Sequence, residues 1–131
     1  MPILLALALY YGPYYAYVVK VVDSITVMLD VAVWPGQVNR VTLRLRGVDT
    51  PLPFGACETE TLMAKDAKAF TRTFLSRQVV IYNIRATRED RSKLWGQIRN
   101  DRGEDLKRAL IEAGYAAAHR GDARTGWCPH P

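Results

Sequence analysis

Residues 25 to 46 alternate. From Ile25 to Val33 the odd-numbered positions 25, 27, 29, 31 and 33 are all apolar. After Trp34-Pro35-Gly36-Gln37 the alternation resumes. Val41, Leu43 and Leu45 lie on one side, and Arg40, Thr42, Arg44 and Arg46 on the other. A period of two marks a strand with one face in a core and the other in water, and a Pro-Gly pair marks a turn. The segment therefore reads as a β-hairpin. An isolated hairpin is marginal in water, so the rest of the chain has to cover its apolar face.

Further elements are available to do so. Tyr14 to Val22 is β-branched and aromatic, and Asp23-Ser24 separates it from the hairpin as a turn. Val79 to Ile84 and Leu94 to Arg99 read as a fourth and a fifth strand. Gly47 to Gly55, with Pro51 and Pro53, reads as loop, as does the charged stretch Arg85 to Ser92. Cys57 to Leu75 places Leu62, Met63, Ala67, Phe70 and Phe74 at helical spacing, a stripe expected to pack on the core. Glu104 to Ala113 reads as a second helix, with Gly114 suited to its left-handed cap. The tail from His119 is expected to be irregular. Five strands, with one helix after the third and one after the fifth, predict an α+β fold: a five-stranded OB-type Greek-key β-barrel with two main helices. The 131 residues suit one domain, residues 14–131, preceded by an apolar arm at 1–13.

The net charge of +5 favours anionic partners without choosing among them. Arg40, Arg44 and Arg46, on one strand face, are anion-binding candidates, although a solvated outer face is the commoner fate of such a row. Cys57 and Cys128 allow one disulfide and, with His119 and His130, make an improbable zinc site.

The arm is a separate problem. Residues 1 to 19 carry no charged side chain. A membrane-spanning helix needs ~20 apolar residues, and Pro13 interrupts the run. Met1 to Tyr11 would reach only about 16 Å as a helix. No Lys or Arg precedes the apolar run, and Ala6-Leu7-Ala8 comes too early for a signal-peptide cleavage site. The arm either joins the core or hooks onto something else. Burying a large apolar side chain is worth ~1.5–3 kcal/mol, and a five-stranded barrel has little room for eleven more residues. Ile3, Leu4, Leu5, Leu7, Leu9 and Tyr10 are therefore expected to dock on another protein or on lipid.

The segments VVKVVDSITVMLDVAVWPG, RLRGVDTP, CETETLMAKDAKAFTRTFL, KLWGQI and ALIEAGYA, and the ending RTGWC, resemble the staphylococcal-nuclease-like (thermonuclease) family over Tyr14 to Cys128. The resemblance implies an OB-type barrel and, in active members, calcium-dependent hydrolysis of DNA and RNA phosphodiesters. Calcium takes oxygen ligands, mostly carboxylates. A Glu serves as general base and two Arg stabilise the phosphate. The family's Asp-Gly-Asp-Thr reads here Asp23-Ser24-Ile25-Thr26, so a metal carboxylate has become Ile25. In Arg44-Leu45-Arg46-Gly47-Val48-Asp49-Thr50-Pro51-Leu52, Arg44 matches the first catalytic Arg. Asp49 and Thr50 match metal ligands, and the general base has become Leu52. Lys93 matches the second Arg, and a Lys cannot reproduce a bidentate guanidinium contact. In short members of the family cysteines often stand where Cys57 and Cys128 do, which implies that they are bonded.

The retained set, Asp23, Asp49, Thr50 and Arg44, lacks a ligand and the base. The expectation is a catalytically inactive module, without a cofactor, serving as a structural or accessory subunit of a larger membrane-associated assembly. By analogy with small basic subunits, that assembly would be a respiratory-type complex at a bacterial-type extracytoplasmic face. Two alternatives stand beside it. One is a calcium-dependent nuclease rescued by Asp23, Glu58 or Glu60. The other is a non-catalytic nucleic-acid-binding OB module, with Tyr14, Tyr15 and Tyr17 as stacking groups.

Overall fold

A computed structural model describes residues 12–87, 90, 92–118 and 126–128. The arm residues Ile3, Leu4, Leu5, Leu7, Leu9 and Tyr10 lie outside the described residues, as do His119 and His130. The elements run β1 (Tyr14–Asp23), β2 (Thr26–Trp34), β3 (Gln37–Leu45), β4 (Val48–Asp49), α1 (Glu58–Phe74), β5 (Gln78–Ala86), β6 (Lys93–Arg99), α2 (Leu106–Glu112) and β7 (Ala117–Ala118). Five strands close a barrel in the order β1-β2-β3-β6-β5, with β5 returning to β1. Every pairing in it is antiparallel except β3 with β6. This is the five-stranded barrel with two helices expected from the sequence.

The hairpin forms as its alternation requires. Ala32 pairs with Val38 and Trp34 with Gln37. Gly36 turns the chain at φ +81°, in the left-handed region that glycine enters at little steric cost. Val27, Leu29, Val31, Leu43 and Leu45 are buried inside the barrel, while Arg40, Arg44 and Arg46 stay outside. Leu106 and Leu110 of α2 complete the core, and Gly114 follows that helix at φ +83°. At Gly96 on β6 an added Cβ would lie 3.0 Å from Leu43 Cδ1 and 3.2 Å from the Tyr82 carbonyl oxygen. Glycine there lets β6 press against the core.

Helix α1 follows part of the expected stripe: Ala67 is buried and Phe70 and Phe74 pack against the core, but Leu62 is exposed. The buried positions are Glu60, Ala64, Ala67 and Thr71. Small residues on that face let the helix approach the barrel closely, and Thr71 Oγ1 donates a 2.7 Å hydrogen bond to the Ser24 carbonyl at the β1–β2 turn. Phe70 also meets Tyr115, with ring centroids 5.5 Å apart. Two stretches read as loop also carry ladder. Val48 pairs with Ala118 and Asp49 with Ala117. Arg85 pairs with Trp95 and Ala86 with Leu94. Two-residue strands have no periodicity to read, and the extension of β5 follows a register shift after Tyr82, near Asn83 at φ +52°. Among the described residues no helix is long and apolar enough to cross a membrane.

Cys57 and Cys128 are bonded, across a sequence separation of 71. Cys57 is also the N-cap of α1, its sulfur accepting the Glu60 N–H at 3.4 Å. The bridge fastens the tail to the start of that helix. Replacing both cysteines by Ser is expected to lower unfolding free energy by ~2–4 kcal/mol. Urea denaturation of the two proteins measures the difference.

Candidate functional site

Strand β3 ends at Leu45, whose N–H donates to the Ile25 carbonyl at 2.8 Å. Gly47, at φ +78°, turns the chain into β4, and β7 pins β4 in place. Asp49, Thr50 and Pro51 are thereby buried, and Leu52 emerges at the rim. The result is an open hollow of about 330 Å³ whose walls include Ile25, Arg44, Asp49, Thr50, Leu52 and Trp95. Five positions that the family resemblance marks thus meet in one place.

Two other marked residues stand apart from those walls. Asp23 Oδ1 accepts the Ile25 N–H at 3.0 Å, closing the β1–β2 turn on itself. Lys93 pairs with Thr42 at the start of β6, whereas the residue that pairs with Arg44 is Trp95. The Arg44 guanidinium carbon lies 5.7 Å from the Trp95 ring centroid, within cation–π range. Trp95 also joins Arg46, Arg85 and Ala86 in a second, more open hollow. Arg40 is separate from this cluster. It donates two hydrogen bonds to Asp30, at 2.9 and 3.1 Å. That contact holds the Asp30 carboxyl below the usual carboxylate range and the Arg40 guanidinium above its own.

Ile25 and Leu52, at the positions the resemblance gives to a metal carboxylate and the general base, both carry hydrocarbon side chains. Ile25 is 4% exposed and belongs to the barrel core while walling the hollow, and Leu52 is 40% exposed at the rim. Calcium takes six to eight oxygens, typically several of them carboxylate. The hollow offers Asp49 and Thr50, and the nearby Asp23 uses one oxygen on its own turn. Among the described residues, no three His, Cys, Asp or Glu side chains gather as a metal site would require.

Glu60, a candidate stand-in base, has a structural job. It is 2% exposed, and its carboxylate accepts the N–H of Leu52 at 2.9 Å and of Ala56 at 3.1 Å. The loop rests so closely on it that a Cβ at Gly55 would lie 2.5 Å from Glu60 Cγ. Glu58 is exposed on the first turn of α1. Sequence reasoning missed the strut, although Cys57-x-x-Glu60 has capping-box spacing. It also missed Trp95 and Arg85. The alternation of β6, with Leu94, Gly96 and Ile98 inward, was the available signal for Trp95.

A family model described as staphylococcal nuclease homologue matches residues 42–126. The chain belongs to that family. The match takes in Arg44, Asp49, Thr50, Leu52 and Lys93, while Asp23 and Ile25 precede it. No curated protein matches the chain. Within this staphylococcal nuclease homologue, the loop carrying Leu52 depends on a buried acid. Hydrogen bonds to charged groups are worth ~1.5–3 kcal/mol each. Glu60→Ala is expected to destabilise the barrel by at least that much, and to speed amide exchange at Leu52 and Ala56 before the core strands. Denaturation and hydrogen exchange read the two effects.

Proposed function

We propose that this chain is a non-catalytic member of its family: a barrel module that works by binding, as an accessory subunit of a larger membrane-associated assembly. The observation that carries the catalytic half is the pair Ile25 and Leu52. One is packed into the core at a family metal position, and the other presents a hydrocarbon rim at the position of the base. Loss of a general base alone costs ~10²–10⁴ in rate. Asp49 and Thr50 still line the hollow, but Ile25 and Leu52 bring it no carboxylate. By analogy with small basic accessory subunits, that assembly is a respiratory-type complex at an extracytoplasmic face. The disulfide agrees with an oxidising compartment.

The expected result is that plasmid DNA incubated with the protein and calcium is cut no faster than with a chelator present. Ile25→Asp together with Leu52→Glu is expected to restore some calcium-dependent cleavage. Chelator-sensitive cutting by the natural sequence would favour the nuclease reading and overturn this one.

A second reading, binding of single-stranded nucleic acid without cleavage, is favoured by one arrangement. Trp95, with Arg44 over its ring and Arg46 and Arg85 beside it, offers a stacking surface among cations. Such binding would weaken with salt as phosphate contacts release counterions. Trp95→Ala would then lose ~1–3 kcal/mol of affinity for an oligonucleotide. A gel shift at two salt concentrations tests both points.

A further inference from the structure

The outer face of the barrel carries a second surface, at the end away from Trp95. The register pairs Ala16 with Val31 and Tyr17 with Asp30, so Tyr15 falls beside Ala32, which pairs with Val38. Tyr15, Ala32 and Val38 therefore form one outward row across three strands. Trp34 stands beyond it at the hairpin tip. Tyr15 is 63% exposed, Val38 56% and Trp34 69%. An apolar and aromatic row at the outside of a closed barrel serves neither the core nor the hollow.

Its chemistry is that of a membrane interface. Trp and Tyr combine an apolar ring with a polar tip and are enriched at headgroup depth. In the next row inward along the barrel, the acid Asp30 is ion-paired with Arg40 beside Tyr17. Behind the row, Lys20 and Arg77 are exposed, and the Arg77 carbonyl accepts the Val18 N–H at 2.9 Å. An apolar front with cations set back from it, on a protein of net charge +5, complements an anionic lipid surface. Sequence adds a third observation. The sequence before Tyr14 carries no charged side chain, and the register puts Tyr14 at the same barrel end as the β2–β3 tip.

We propose that Tyr15, Trp34 and Val38 form a docking face for an anionic lipid bilayer, with the β2–β3 tip inserted at headgroup depth. This rests on the membrane-association half of the function proposed above and is independent of its catalytic half. Vesicle flotation and plasmid cleavage therefore fail separately.

The test is flotation of the full chain with phosphatidylcholine vesicles and with vesicles that also contain phosphatidylglycerol. The mixed vesicles are expected to carry the protein upward, less so as salt rises. The double variant Tyr15→Ser with Trp34→Ser removes only exposed side chains. It is expected to partition at least about tenfold more weakly, while circular dichroism stays that of the parent. No flotation with the mixed vesicles at low salt overturns the proposal, as does equal partitioning of parent and variant. A lipid-free dimer that the double variant dissociates assigns the face to a second copy instead, and also overturns it.

Discussion

The pairing of β3 with β6 is what the rest of the structure depends on. It is the barrel's one parallel contact, and it joins strands separated by β4, α1 and β5. Without it the hairpin would keep an open edge, and an open edge invites other chains. The contact is close because Gly96 has no side chain to hold Leu43 away. The same register that closes the core sets Arg44 opposite Trp95 on the outside. One pairing thus fixes both the interior packing and the electrostatic surface beside the hollow.

Gly47 and the β4–β7 pair bring Asp49 and Thr50 to the wall of the hollow. Burying Ile25 adds apolar contact to the core at a position where an unpaired carboxylate would cost several kcal/mol. Glu60 is a buried acid that tolerates burial because two backbone N–H groups satisfy it. Through these two bonds its carboxylate helps to hold the loop. The Cys57–Cys128 bridge acts on the neighbouring helix cap, so the loop is fastened from both sides.

The outer surface divides by strand register. One end of the β2–β3 hairpin carries aromatic and aliphatic side chains, the middle an ion pair, and the other end uncovers cations beside Trp95. Basic residues on one strand face can therefore serve different purposes. Arg40 is engaged with a neighbour across the ladder, while Arg44 and Arg46 edge the two hollows. All three stand at even-numbered positions on one side of the chain, and their neighbours in space distinguish them.

Much of the fold was legible in the sequence. Period-two patterning from Ile25 to Leu45 set the hairpin and its inward face, and Pro35-Gly36 set its turn. The matched motifs marked Asp23, Ile25, Arg44, Asp49, Thr50, Leu52 and Lys93, and five of these line one hollow while Asp23 and Lys93 do not. These are local signals, written in spacing and residue type. The tertiary structure alone decided the rest. Leu62 faces solvent because the face of α1 that meets the barrel is set by how closely the helix can approach, which favours Ala64 and Ala67 over bulk. Trp95, rather than Lys93, stands over Arg44 because a parallel register between distant strands chooses the neighbour. Glu60 is a strut because a loop folds back onto it. The first two depend on contacts between segments far apart in the chain, and the third on a loop folding back over eight residues; none of these contacts leaves a period in the sequence.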